Sequence, residues 1–510
     1  MMPSLGKTGF PCNIRLYVAL FYIQIQYYPS IILWTIAVGL VMDIESLLRK
    51  IVSNEAVVGI VGLGYVGLPL SLAFSKKFQV IGYDKSPHVI DSLSKGRSTI
   101  LEIPDESIKQ VINKSFKPTL DPADLASCDF KIICVPTPLK EDKEPDLSYI
   151  RSASITVAQT LHKGQYVILE STSYPGTTRD VMTPILETTS LRAGMDFGVA
   201  FSPERIDPGN KQFTVETIPK IVGGINEPCT ELAVKLYEQI IDKVVPVSNP
   251  ETAEAAKMME NIFRNVNIAL VNELSIIFSK MGIDTWEVIK AASTKPYGYM
   301  PFSPGPGVGG HCIPLDPYYM SYISKRYGFI PRFIELSGNI NDFMRVYAIN
   351  LVEQGLRRVG QRLFRSEVAV LGLAYKRNID DPRESPSLKV IEELTANGVI
   401  VRAYDPYINK VHVRDKVIES APSIGEALSG ADCALFMVDH DFFKNISLAD
   451  YAGTMRNPVI IDCKNIFETP PDNILYLGIG KANKLGETTV TQVESESSME
   501  KWITGLKTIN

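Results

Sequence analysis

Between residues 57 and 247 short β-branched runs alternate with amphipathic stretches; the runs are 57–61, 79–83, 131–135, 166–169, 197–201 and 244–247. Such alternation predicts a parallel sheet with helices packed on both faces. Residues 251–281 predict one long helix: Gly and Pro are absent until Gly282, and Met258, Ile262, Val266, Ala269, Leu270 and Leu274 recur at helical spacing. A helix of that length is expected to bridge two domains. A loop rich in Gly and Pro follows at 304–316, then a helical region to about residue 360, then a second α/β alternation that opens at 368–371. This second unit repeats the first: strand, Gly372-Leu-Ala-Tyr-Lys376, a helix from Ser385-Pro386 to Asn397-Gly398, and a strand at 399–404 that ends in Asp405-Pro406. The expected fold is therefore α/β, with an apolar extension at 1–42, a first α/β domain at 43–249, a central helical segment at 250–350, a second α/β domain at 351–485 and a polar tail at 486–510.

Composition narrows the functional classes. With 510 residues, 45% of them hydrophobic and 21% charged, the chain is long enough for two or three domains with full cores. A net charge of −5 provides no basic field, so nucleic acid is not an expected partner. The seven cysteines show no paired C-x-x-C spacing, which supports neither zinc nor disulfides and fits a reducing cytoplasm. Residues 16–42 carry no charged side chain. That stretch is either a membrane anchor or an over-extended start upstream of a soluble enzyme beginning at Met42.

Five constellations carry candidate chemistry. Gly62-x-Gly64-x-x-Gly67 follows a strand and opens a helix, with Asp84 ending the next strand. The first glycine permits the tight turn, the second lets the backbone approach a pyrophosphate and the third packs helix on strand. Asp84 can accept from the ribose hydroxyls and repels a 2′-phosphate, which favours NAD over NADP. Loops at 135–138 and 170–176 fall at expected strand ends, where Thr137 and Thr172 either face the ligand crevice or cap local structure. Glu204, directly after a strand, is either an acid–base group or a solvated carboxylate. On the long helix Lys257 and Asn261 share a face, with Arg264 and Asn265 one turn on; the pair either donates to an oxyanion or forms a polar stripe facing water. Cys312 stands beside His311 and near Asp316 in a loop that can form neither a helix nor a central strand, so its thiol is either packed or presented as a nucleophile.

Taken in order, Gly-Leu-Gly-Tyr-Val-Gly-Leu-Pro69, Val135-Pro-Thr-Pro138, Glu170-Ser-Thr172, Ser202-Pro-Glu204, Lys257 with Asn261, Gly309-Gly-His-Cys312, Gly372-Leu-Ala-Tyr-Lys376 and Asp381-Pro-Arg383-Glu-Ser385 resemble the nucleotide-sugar 6-dehydrogenases, which include UDP-glucose and GDP-mannose dehydrogenases. The resemblance covers residues 57–467 and is strongest to the branch acting on UDP-N-acetylhexosamines, in particular the UDP-N-acetylglucosamine 6-dehydrogenases. It implies two Rossmann-like doubly wound parallel-sheet domains joined by a long central helix that also forms a homodimer interface. It implies oxidation of a carbon-six hydroxyl to a carboxylate through a thiohemiacetal and a thioester on Cys312. Lys257 and Asn261 would stabilise oxyanions, Glu204 would assist hydrolysis, and Thr172 and Asp316 would position water or protons. NAD would contact Gly62, Gly64, Tyr65, Val66, Gly67, Asp84, Lys85, Thr137, Thr172 and Arg383. The UDP-N-acetylhexosamine would contact Glu204, Arg205, Lys257, Asn261, Arg264, Tyr299, Phe302, Gly309 and Lys376. No metal is implied. Many UDP-glucose enzymes place a Lys three residues after the nucleophile, where this chain has Leu315. A two-electron alcohol or β-hydroxyacid dehydrogenase would have no need of Cys312, and a silent sugar-nucleotide-binding scaffold would have no need of the Cys312, Lys257, Asn261 and Glu204 set. The hexosamine epimer stays open.

Overall fold

The computed structural model describes residues 44–100, 103–140, 142–206, 213–310 and 313–482. The apolar extension, the polar tail and Cys312 lie outside them. Contacts divide the chain within the long helix Pro250–Lys280: one unit holds the described residues up to Thr137 together with Asp146–Lys257, the other Pro138–Pro145 and the described residues from Met258 on.

The first unit is built on eight strands: β1 (Val57–Val61), β2 (Gln79–Tyr83), β3 (Phe116–Thr119), β4 (Phe130–Ile133), β5 (Tyr166–Leu169), β6 (Gly198–Phe201), β7 (Lys220–Gly224) and β8 (Val244–Val247). Their order is β3-β2-β1-β4-β5-β6-β7-β8. The strand order reverses at β1, with β2 on one side and β4 on the other, both parallel to it. Alternate side chains along each central strand serve two separate cores, Val58, Ile60, Ile132 and Ile168 on one face and Val61, Ile133, Val167 and Leu169 on the other. That period-2 split, with both faces buried, is why these strands read as continuous apolar runs. Each fully buried Ile or Leu contributes about 1.5–3 kcal/mol.

The sheet is not wholly parallel, which corrects the expectation for this region. β7 runs antiparallel to β6, with Ala200 opposite Gly224 and Phe201 opposite Gly223, and β8 is parallel to β7. No helix lies among the described residues between β6 and β7, and without a crossover an adjacent strand can return only antiparallel.

The second unit carries β9 (Glu367–Leu371), β10 (Ile400–Tyr404), the hairpin strands β11 (Lys410–Val413) and β12 (Lys416–Glu419), and β13 (Cys433–Phe436), β14 (Val459–Asp462) and β15 (Leu475–Gly478). A five-stranded parallel sheet has the order β10-β9-β13-β14-β15. Val368 and Val370 face one core, Ala369 and Leu371 the other. The helix Pro386–Ala396 starts where Ser385 Oγ accepts the Ser387 N–H and ends before Gly398 at φ +75°. The helical region expected from 316 to 360 is two helices, Asp316–Arg326 and Arg332–Arg358, parted at Gly328, φ +77°, and Pro331.

A buried bracket ties the first loop of this unit to its second strand. Asp405 Oδ2 accepts the Leu373 N–H at 2.6 Å and the Ala374 N–H at 3.1 Å, while Oδ1 accepts the Tyr407 and Ile408 N–H groups. His440 Nδ1 accepts the Asn378 N–H at 2.9 Å, so the ring proton sits on Nε2, 3.1 Å from Asp405 Oδ2. Neither the His440 nor the Asp405 side chain has any solvent exposure.

Candidate active site

In the first unit β1 runs into Gly62, whose φ of +96° only glycine adopts freely and whose N–H donates to Tyr83 O at 2.8 Å. Gly67 opens the helix Gly67–Phe74, and a Cβ there would stand 1.8 Å from the Gly62 carbonyl oxygen. A Cβ on Gly64 would meet nothing within 4 Å, so the loop backbone is open to a ligand on that side. Asp84, at the end of β2, accepts the Leu63 N–H at 2.9 Å through Oδ2 and the Ser86 N–H at 2.8 Å through Oδ1. Tyr65 is half-exposed, Val66 stands at the helix N-cap, Lys85 lies 5.2 Å from the Tyr149 ring centroid, and Thr137 is buried after β4. An open glycine at a helix N-terminus beside a carboxylate fits the pyrophosphate and ribose of NAD.

The ends of β5, β6 and β7 hold a charged cluster. Lys220 Nζ lies 2.9 Å from Glu170 Oε2 and 3.2 Å from Glu204 Oε2, and the Tyr237 hydroxyl donates to Glu170 Oε1. Glu204 Oε1 accepts the Arg205 N–H at 2.6 Å and the Ile206 N–H at 2.7 Å. Burial pushes the Glu204 carboxyl up, but the Lys220 charge and the two N–H groups outweigh it and hold the group below its ordinary 4.5. For Glu170 burial wins, and its carboxyl is raised. Lys257 Nζ donates to the Glu204 carbonyl at 2.6 Å, and Arg205 Nη1 donates to Pro219 O. The half-buried Thr172 sits in a loop fixed at both ends. Ser171 Oγ accepts the Val135 N–H at 2.9 Å, and Glu254 accepts the Gly176 N–H, the Thr178 N–H and the Thr178 hydroxyl within 2.8 Å. Burial pushes the Glu254 carboxyl up to about 8 against the pull of Thr178 and Gly176.

In the second unit Asn261 Nδ2 donates to Asp316 Oδ2 at 2.5 Å, and Asn265 Nδ2 donates to Ile313 O at 3.1 Å. The polar stripe of the long helix is thus buried, with Lys257, Asn261 and Asn265 at most 8% exposed, whereas Arg264 faces outward. Tyr299 is 40% exposed, and Phe302 packs edge-on against Phe263 at 5.9 Å. Gly309 is pressed against Pro386, Tyr375 and the Glu384 carbonyl, so the loop before Cys312 lies on the segment that carries Lys376. Arg383 pairs with Asp381 at 2.6 Å, and its carbonyl accepts the Gly310 N–H. Lys220, Tyr237 and Glu254 were absent from the sequence-based site; a lysine opening an otherwise apolar strand was the signal for the first.

Residues 56–241 match the NAD-binding domain of the UDP-glucose/GDP-mannose dehydrogenase family, 251–343 its central domain and 369–469 its UDP-binding domain. A UDP-N-acetyl-D-mannosamine dehydrogenase of Pyrococcus horikoshii is 37% identical over 84% of this chain and 99% of its own length. The chain belongs to the UDP-glucose/GDP-mannose dehydrogenase family. Another member, a UDP-N-acetyl-D-glucosamine 6-dehydrogenase of Pseudomonas aeruginosa, is 39% identical over 76% of this chain and 92% of its own. The solved structure of the Pyrococcus horikoshii enzyme superimposes with a TM-score of 0.79 over 84% of this chain and all of that one. Membership makes NAD the cofactor and makes this chain a nucleotide-sugar dehydrogenase.

Proposed function

We propose that this dehydrogenase oxidises the carbon-six hydroxyl of a UDP-N-acetylhexosamine, UDP-N-acetylglucosamine foremost, to the uronate through a covalent intermediate on Cys312. The product would serve as a glycan or surface-polysaccharide precursor made in the cytoplasm. The observation that carries the reading is the buried amide face of the long helix. Asn265 and Asn261 hold Ile313 and Asp316, the first and fourth residues after Cys312, and Lys257 lies one turn before Asn261. The five described cysteines are all buried and free, and burial pushes Cys128 up to about 12 and Cys229 up to about 11, so none of the five is a ready nucleophile.

NAD supplies the hydride acceptor for both oxidations, and Gly62, Gly64, Gly67 and Asp84 would hold it, with Tyr65, Val66, Lys85, Thr137, Thr172 and Arg383 around it. The Cys312 thiolate adds to the carbon-six aldehyde and forms a C–S bond, which keeps the carbon in place for the second oxidation to a thioester. Lys257 and Asn261 donate to the oxyanion at each tetrahedral stage. Water, deprotonated with the help of Glu204 and ordered by Thr172 and Asp316, cleaves the C–S bond and returns the thiolate. Lys376, Tyr299, Phe302, Gly309, Arg205 and Arg264 would contact the sugar nucleotide.

UDP-N-acetylmannosamine is the second reading, because relatives of that name are as similar as those named for the glucosamine. Leu315 in place of a lysine weighs against UDP-glucose. A homodimer along the long helix is supported by one exposed apolar stripe, Met259, Phe263, Leu270, Ile277 and Met281. Among the described residues no helix is long and apolar enough to cross a membrane.

The test is NADH formed per sugar consumed, with each UDP-N-acetylhexosamine epimer and UDP-glucose in turn. Two NADH per molecule of one preferred N-acetyl sugar is the expected result. One NADH per sugar would remove the thioester from the scheme, and preference for UDP-glucose would remove the substrate assignment.

A further inference from the structure

The cluster at the ends of β5, β6 and β7 has a geometry that motif spacing does not reveal. Lys220 opens β7, Glu170 follows β5, and Glu204 follows β6, so the antiparallel return of β7 brings the ammonium between the two carboxylates. The side chains are 5%, 0% and 12% exposed. Water therefore does little to screen the three charges, and removing one partner strands the others. Among the described residues the Tyr237 hydroxyl, the buried Cys134 thiol at the end of β4, and Lys257, held on the Glu204 backbone, also face the cluster. Two N–H groups fix Glu204 Oε1, and Lys220 fixes Oε2.

We propose that Lys220 is a positioning residue, the central cation of a Glu170–Lys220–Glu204 bridge that aims Glu204 and preserves its negative charge for hydrolysis of the intermediate. The inference rests on the assignment of Glu204 to hydrolysis. It adds that the proton affinity of Glu204 is set by two buried residues that act through its carboxylate. Charge sharing gives the bridge a signed response. Without Lys220 two carboxylates face each other, and Glu204 binds protons more tightly. With Glu170 neutral, Lys220 serves Glu204 alone, and Glu204 binds protons less tightly.

The experiment compares Lys220→Met, Lys220→Arg, Glu170→Gln and Glu204→Gln in the full chain, by pre-steady-state NADH formation and by the pH profile of kcat. Lys220→Met is expected to keep a burst of NADH, to slow steady turnover by at least about tenfold at pH 7 and to move the acid limb upward by about one unit or more. Lys220→Arg should restore most of the turnover. Glu170→Gln should move the limb the other way, and it carries the test by itself if Lys220→Met does not fold. A folded Lys220→Met with an unmoved limb, or a Glu170→Gln limb displaced upward, overturns the bridge. Undiminished turnover by Glu204→Gln would instead overturn the parent assignment, and the bridge with it.

Discussion

Two glycines of one loop should fail in different ways. At Gly64 an added Cβ meets no atom within 4 Å, and the backbone φ there is not positive. Gly64→Ala should therefore fold as well as the parent, or gain the ~0.4–1 kcal/mol that a compatible alanine confers through the unfolded chain. The methyl group fills the space through which a pyrophosphate would reach the loop N–H groups. Loss of one hydrogen bond to a charged oxygen costs about 1.5–3 kcal/mol, which is about ten- to 150-fold in Kd. At Gly67 the Cβ must retreat from 1.8 Å to at least 3.0 Å from the Gly62 oxygen, so helix and turn must separate by about 1.2 Å. Overpacking of that kind costs about 1–3 kcal/mol and lowers Tm by about 2–4 °C per kcal/mol in a domain of this size. Calorimetric titration with NAD and melting without ligand separate the two variants. The reasoning is refuted if Gly64→Ala binds NAD like the parent, or if it melts as early as Gly67→Ala.

Cys312→Ser should abolish uronate formation while NAD titrates normally; retained carboxylate production would refute the nucleophile. Asp84→Ala should weaken NAD and narrow its preference over NADP, and it should cost about 1–3 kcal/mol because the Leu63 and Ser86 N–H groups lose their acceptor. An unchanged ratio of the two affinities would count against the ribose role. Burial pushes Asp405 up, but the His440 hydrogen bond and the Leu373 and Tyr407 N–H groups bring it below its ordinary 3.8. A folded value below the unfolded one gives stability that is present above pH 3.8 and is lost as pH falls through the lower folded value. Asp405→Asn should therefore lower the urea midpoint at pH 7 and match the parent more closely in acid; a gap that widens below pH 4 would contradict this.

The strands at the centre of both sheets were legible because burial on two faces leaves a bare apolar run, and the long helix because nothing interrupts it. β3 was not, since Phe-Lys-Pro-Thr is an edge strand carrying a charge and a proline. β7 was hidden by its Lys and paired glycines, and its reversal depends on a connection that no residue pattern announces. For the site, the glycine loop with Asp84 could be read from spacing, because its parts are local. Lys220 could not, being 50 residues from Glu170 and 16 from Glu204. The polar stripe of the long helix was readable as a stripe, but whether it met water or amide partners depended on Ile313, Asp316 and Ser337, contributed by other parts of the chain.

The two units share a strand, a glycine turn and an aspartate closing the next strand, yet the aspartates differ in what they can still accept. A carboxylate has about four lone-pair sites. Asp84 fills two of them with the Leu63 and Ser86 N–H groups. Asp405 already receives five donors, from Leu373, Ala374, Tyr407, Ile408 and His440. A ribose can therefore find an acceptor at the first aspartate and none at the second. A repeated architecture thus gives its two aspartates different capacities, with lone pairs left open at Asp84 and closed at Asp405.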